Sequence, residues 1–294
     1  MPEDTSTQTQ TLPVRSLGET GESVTILGLG GGHLARVHSE YEARELVDVA
    51  LDEGIRFFDT AESYHNGTSE RWLGAALGSR RADVFLMSKT FDFPERSAEG
   101  AKWHLEGSLT RLATDRLDLW QLHSVRSVTD VDRAFGKGGA MEFILEMKMK
   151  GLVRFTGVTG HKDPDANLRA LHYWDRGMRF DAMQMPINPI DHHQRSFQER
   201  VLPELVRRNI GVIAMKTSAD GALPRAGVCT HAECHRFAWG LPVSVAVVGM
   251  ERPELIRENA RLARSAPMSP SERATLLARV APSVALDLEY YKRD

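Results

Sequence analysis

RFFDTAESYHNGTSERWLG, residues 56–74, passes from strand to helix through a polar corner. An apolar pair, Phe57 and Phe58, runs into Asp59, and Tyr64 and His65 follow within the same turn. TSERWLGAALG then places Trp72, Leu73, Ala76 and Leu77 on one helical face. Strand, turn, helix is an ordinary unit. A carboxylate and a phenol clustered at its turn are less ordinary and make it a candidate half of an active site.

The unit recurs along the chain. VTILGLGGG (24–32) reads as a strand running into glycines. SEYEARELVDVALDEG follows as a helix, with Ala43, Leu46, Val47, Ala50 and Leu51 on one stripe and Gly54 as its stop. DVFLMSK, LDLWQLH, VRFTGVT, FDAMQM, IGVIAMK and VSVAVVG read as further strands, and QERVLPELVRRN as a helix despite Pro203. The strands fall near residues 24, 55, 84, 118, 153, 181, 210 and 243, each followed by a helical stretch. Eight βα units in roughly 250 residues fit an α/β fold of the closed (β/α)8 TIM barrel class. The strands are short continuous apolar runs, as expected where helices cover the outer face. Residues 1–12, rich in Ser, Thr and Gln, read as a disordered tail, and residues 13–294 as a single barrel domain.

Composition narrows the function. The chain carries 37 Lys and Arg against 40 Asp and Glu, a net charge of -3. That balance leaves no basic footprint for nucleic acid and no polybasic membrane patch. Two cysteines, Cys229 and Cys234, exclude a disulfide scaffold and fit a reducing compartment. The first ten residues lack the apolar core of a signal peptide, and no stretch approaches the roughly 18 apolar residues of a membrane span. A soluble, cytoplasmic protein acting on a small molecule is expected, with a monomer as the default.

In such a barrel the C-terminal strand ends share one mouth, where chemistry is sited. They carry Asp59 with Tyr64 close by, then Lys89, His123, Thr159, Gln184 with Asn188, and Lys216. Neighbouring strands lie about 5 Å apart, so these groups can meet. A tyrosine pKa near 10 is too high for easy proton transfer at neutral pH, and an adjacent lysine cation is expected to lower it. Asp59 can hold Lys89 charged, and His123 can hydrogen-bond a reacting oxygen. The set suits a general acid facing a carbonyl oxygen that becomes an alkoxide. Taken singly, Asp59 reads as a turn or cap residue and His123 as a structural histidine. The joint placement carries the signal.

Four pieces, GIRFFDTAESYHNGTSERWLG, VFLMSKT, LDLWQLH and GLVRFTGVTG, agree in order and spacing with the aldo-keto reductase family, which the chain resembles from about Val14 to Ala260. The resemblance implies the (β/α)8 barrel and NADPH-dependent reduction of an aldehyde or ketone to the alcohol by direct hydride transfer. It implies catalytic roles for Asp59, Tyr64, Lys89 and His123, with Tyr64 as general acid. Where the family has a Ser-Asn pair after the fifth strand, this chain has Thr159 and Gly160; Gln184 is retained, and His161 can substitute for the missing amide. Lys216 joins these as a cofactor-binding position. At the adenosine end Glu258 and Asn259 match the adenine-contacting pair. Gly249 and Leu255 stand at the positions usual for the Lys and Arg of the 2'-phosphate site, so Arg252, with Arg257 behind it, is the expected phosphate partner. Glu251 suits a free ribose diol. NADP(H) is therefore preferred and NAD(H) remains open. The alternative is a non-catalytic nicotinamide-binding regulatory or structural subunit; a lyase or isomerase on the same barrel ranks last.

Other motifs are weaker. GLGGGH fails the G-x-G-x-x-G frame at His33. CTHAECH (229–235) puts His231 and His235 on one helical face beside Cys234, without the further ligands of a metal site. DHH (191–193) reads as a polar loop or a pocket wall. Trp103, Trp120, Trp174 and Trp239 are expected in the core, and Phe91 and Phe93 are candidates for a substrate wall. The sequence leaves the carbonyl substrate itself open.

Overall fold

The computed structural model describes residues 11–90 and 96–293. Phe91 and Phe93 lie outside the described residues, as do residues 1–10 of the tail. Leu12, assigned to that tail by sequence, is 5% exposed and packs with the core.

Two short strands, β1 (Val14–Ser16) and β2 (Ser23–Thr25), pair antiparallel ahead of the barrel. The barrel strands are β3 (Leu27–Gly30), β4 (Phe57–Asp59), β5 (Phe85–Lys89), β6 (Leu117–Val125), β7 (Val153–Gly160), β8 (Ala182–Pro186), β9 (Gly211–Met215) and β10 (Val245–Val248). They close in the order β10-β3-β4-β5-β6-β7-β8-β9, and every pair is parallel. This is the (β/α)8 barrel, with helices around the outside.

Three sequence expectations are corrected. The strand expected over 24–32 is two elements. Val24 belongs to the hairpin, and the Thr25 hydroxyl turns back to the Leu27 carbonyl at 2.9 Å, so the barrel strand starts only at Leu27. The helix expected through Pro203 breaks into Phe197–Arg200 and Leu202–Arg207. Proline has no N–H for the ladder and crowds the preceding turn, so it sits at the start of the second piece. Trp103 is 74% exposed, whereas Trp120 and Trp239 are buried. Its helix, Ala98–Leu112, buries Ala101, Leu105 and Leu112 instead.

Alternation along the strands sorts side chains into two layers. Phe57, Phe85, Met87, Leu119, Ala182, Ile213 and Val245 point inward and fill the barrel. Phe58, Leu86, Trp120, Val158, Met183 and Ala246 point outward beneath the helices. Leu17 and Val24 of the hairpin pack into the inner cluster and plug the N-terminal end. Gly18 allows that fit: its φ is +56°, and a Cβ there would stand 2.4 Å from the Asn209 carbonyl oxygen.

Candidate active site

Strand parity builds the mouth. Asp59 is two residues beyond inward-facing Phe57, and Lys89 two beyond Met87. Gln121 and His123 continue the inward parity of Leu119. Asp59, Lys89 and His123 are 3%, 1% and 7% exposed, far below what charged and polar side chains ordinarily show. Tyr64 arrives from the turn after β4, before the helix Thr68–Leu77.

These side chains touch. Lys89 Nζ pairs with Asp59 Oδ1, donates to the Thr60 carbonyl oxygen at 2.8 Å and to Tyr64 Oη at 3.3 Å. The ammonium also lies 4.9 Å from the Tyr64 ring centroid. Gln184 Nε2 donates to the other carboxylate oxygen, Asp59 Oδ2, at 3.2 Å. The Tyr64 and His123 rings meet edge to face, centroids 6.0 Å apart. His123 is held from two sides: its backbone N–H donates to Thr90 Oγ1 at 3.1 Å, and its Nδ1 lies 3.3 Å from Ser63 Oγ. The Ser63 contact was not foreseen; its only sequence signal was adjacency to Tyr64.

The electrostatics follow from burial and partners. Burial pulls the Lys89 ammonium down, but Asp59 and Tyr64 outweigh it and hold its pKa above the ordinary value. Burial, aided by the Lys89, His161 and Arg96 charges, pushes His123 well below its ordinary value, so the ring is neutral. Tyr64 corrects the sequence reading. Burial raises its pKa by more than Lys89 lowers it, and the phenol stays protonated.

A cleft of 910 Å³ opens beside the cluster. It runs from Asp59, Ser63 and Tyr64 past Gln184 and Lys216 to Glu258 and Asn259. Lys216 Nζ reaches Asp220 Oδ2 at 2.6 Å and sits 4.9 Å from the Tyr291 ring centroid. Gln184 Oε1 is buried and has no hydrogen-bond partner among the described residues. Thr159 pairs in register with Gln184, is 1% exposed and is not among the residues lining the cleft. At Gly160 the space of a side chain is taken by Asn167: a Cβ there would stand 2.1 Å from Asn167 Oδ1. A side chain at 160 and this placement of Asn167 exclude one another. His161 lies alongside, its Nε2 3.1 Å from Ser124 Oγ.

The far end of the cleft departs from the sequence reading. Arg252 is exposed, caps the helix Pro253–Ala263 and does not line the cleft. The arginines that do line it are Arg36 and Arg225. Glu251 lines it as well, held by His33 Nδ1 at 2.7 Å and by Arg36 at 3.5 Å. His33 packs so closely over Gly249 that a Cβ at 249 would stand 2.1 Å from its ring.

The C-terminal segment contributes residues that sequence reasoning missed. Asn188 Nδ2 donates to Tyr291 Oη at 2.9 Å, and Tyr290 Oη donates to Asp220 Oδ2 at 2.5 Å. Asp191 of the DHH motif is fully buried on Lys292, at 2.7 Å. His231 and His235 line the cleft, and among the described residues no group of three or more His, Cys, Asp or Glu is placed to hold a metal. No helix among them is long and apolar enough to cross a membrane.

Comparison with known proteins agrees with the barrel fold. Two oxidoreductases of Bacillus subtilis are similar in sequence. YqkF, described as uncharacterized, is 27% identical over 218 residues, covering 71% of this chain and 66% of the relative. YrpG, described in the same way, is 30% identical over 230 residues, covering 70% and 67%. The match thus spans about two thirds of those relatives' length. An aldo-keto reductase from Klebsiella pneumoniae, solved in complex with NADPH, superposes with a TM-score of 0.73 at 22% identity, covering 93% of this chain and 96% of that one. Residues 26–235 match the profile of the aldo/keto reductase family, and the chain belongs to that family of oxidoreductases.

Proposed function

We propose that the protein reduces an aldehyde or ketone to the alcohol with NADPH, by direct hydride transfer, with Tyr64 donating the proton. One observation carries the reading: the Lys89 ammonium is clamped between the Asp59 carboxylate and the Tyr64 hydroxyl, beside a cleft of 910 Å³. The residues present fit the cofactor. Gln184 Oε1, buried and without a partner among the described residues, suits the N–H of a nicotinamide carboxamide. Lys216, Arg36 and Arg225 supply positive charge along the cleft, and Glu258 and Asn259 lie at its far end. NADPH is the form found in the Klebsiella pneumoniae reductase complex.

When bound, the cofactor supplies the hydride. The side chains of this chain manage the proton and the charge. Tyr64, protonated at neutral pH, donates to the carbonyl oxygen. The Lys89 cation then stabilises the phenolate left behind, and Asp59 keeps that cation charged and oriented. His123 is neutral, with Nδ1 3.3 Å from Ser63 Oγ; in the tautomer in which Ser63 donates to Nδ1, Nε2–H hydrogen-bonds the same oxygen.

The test is NADPH oxidation by the purified protein with a panel of aromatic and aliphatic aldehydes and ketones, run in parallel with NADH. Turnover with NADPH is expected. Turnover with NADH alone would keep the chemistry and overturn the cofactor choice. Cofactor binding without turnover on any carbonyl would instead identify a nicotinamide-binding regulatory subunit.

A further inference from the structure

Cys229 and Cys234 are the only cysteines of the chain, and their sulfurs lie 3.2 Å apart. Local structure explains the approach. Thr230 caps the helix His231–Trp239 in a capping box with Glu233. Cys229 is the residue before the cap, and Cys234 is the fourth residue of the helix. An apolar pair ordinarily occupies these two positions and fixes the angle at which the chain enters the helix. Here both members of the pair are thiols. An aliphatic pair would pack as well, but only thiols can be joined and released.

The position matters for the cleft. Both cysteines belong to a small apolar cluster with Ala219 and Leu223 of the segment after β9, Phe237 of the helix and Tyr291 of the C-terminal segment. That helix turns His231 and His235 toward the cleft, and His235 Nδ1 lies 2.9 Å from Thr217 Oγ1. Residues 217–230 therefore form a strap along the cleft, tied to the helix at Thr217 and again at the cysteine pair.

We propose that Cys229 and Cys234 form a reversible disulfide that locks the strap to the helix beside the cofactor cleft, the oxidant being a small-molecule disulfide of the glutathione type. The two thiols are not equivalent. Cys229 is 6% exposed and Cys234 fully buried. The hydrogen bond between them favours the Cys229 thiolate and holds the proton on Cys234. Cys229 is thus the attacking sulfur. Its thiolate displaces one half of the incoming disulfide as a thiolate, leaving a mixed disulfide on Cys229. Cys234 then loses its proton and attacks the Cys229 sulfur, expelling the second half as a thiol. Two protein thiols are oxidised and one small disulfide is reduced to two thiols, a two-electron exchange with no other reactant.

The experiment equilibrates the full-length protein in mixtures of reduced and oxidised glutathione, alkylates the remaining free thiols and reads intact mass. Both thiols are expected to disappear together in the monomer, with a single midpoint, and to return on reduction. Cys229→Ala is expected to leave Cys234 unmodified, and Cys234→Ala to arrest at a glutathione adduct on Cys229. Both thiols remaining free in the most oxidising mixture, or disappearing independently, would overturn the proposal. The second readout rests on the proposed cofactor site. NADPH release, followed by stopped-flow fluorescence, is expected to be severalfold slower from the oxidised than from the reduced protein, with no difference in Cys234→Ala. A disulfide that forms without changing release would overturn the lock. Absence of NADPH binding in either state would count against the cofactor reading while leaving the thiol result standing.

Discussion

The two ends of the cleft are built differently. At the reacting end Asp59, Lys89 and His123 leave three adjacent barrel strands, are almost fully buried and are positioned by ladder register. At the far end Arg36, Arg225 and Glu251 sit on connecting segments. The Glu251 side chain is 42% exposed and that of Arg36 55%. A buried ion pair tolerates little change, because losing one partner strands the other charge. An exposed pair exchanges with water and contributes little to stability. On the proposed function, the contrast assigns the chemistry to the barrel and cofactor discrimination to its loops.

Breaking the buried end should have the largest effect. Lys89→Met leaves Asp59 buried without its cation and is expected to destabilise the fold by about 3–5 kcal/mol while abolishing carbonyl reduction. Urea denaturation and NADPH oxidation check the two parts. A destabilised but active Lys89→Met protein would mean that the cluster is only structural, and a stable, active one would deny it both roles.

Acid should also act on buried groups first. Burial depresses the folded-state pKa of His123 well below the ordinary value and that of His235 to about 3. The unfolded chain therefore binds protons that the folded chain refuses. Stability from these two histidines is complete above the unfolded value of about 6.5 and is lost as pH falls toward the folded values. Denaturation midpoints should drop between about pH 6.5 and 4, and His235→Gln should flatten that drop. Alkali acts on Tyr64 with the opposite sign. Its folded pKa is raised, so its protonated form and the stability it contributes persist below the unfolded value of about 10 and fade as pH rises past the folded one. Carbonyl reduction should accordingly show no Tyr64 titration between about pH 6 and 9.

Changes at the exposed end should be smaller. Arg225→Ala removes one lining cation and should weaken NADPH binding by about 1–2 kcal/mol, read by fluorescence titration. Glu251→Gln removes a negative charge and should shift the NADPH-to-NADH preference toward NADPH by less than about tenfold. Arg252→Ala, at an exposed helix cap outside the cleft, should change NADPH affinity by under about 0.5 kcal/mol. A large loss in Arg252→Ala with none in Arg225→Ala would reverse the assignment of the far end.

The same contrast explains what could be read from sequence. Asp59, Lys89 and His123 each close an apolar run, and period-two alternation fixes where such residues point. Eight such runs gave the barrel. The exposed end has no comparable grammar. Whether Arg252, Arg36 or Arg225 faces the cleft depends on loop conformation, which local pattern does not determine. Asn188 and Tyr291 meet across 103 residues, and nothing in DLEYYKRD signals a return to the barrel mouth. The hairpin was missed because Ile26 continues the apolar run while the backbone changes sheet. The direction of the Tyr64 shift was missed because it depends on burial, and burial is a property of the packed site.

The most direct test of the account is Tyr64→Phe. Ring packing against His123 survives this change and only the hydroxyl is lost. NADPH affinity and the denaturation midpoint should stay at wild-type values while carbonyl reduction falls by about 10²–10⁴-fold. Wild-type turnover in Tyr64→Phe would contradict the account, because the proton would then come from another group.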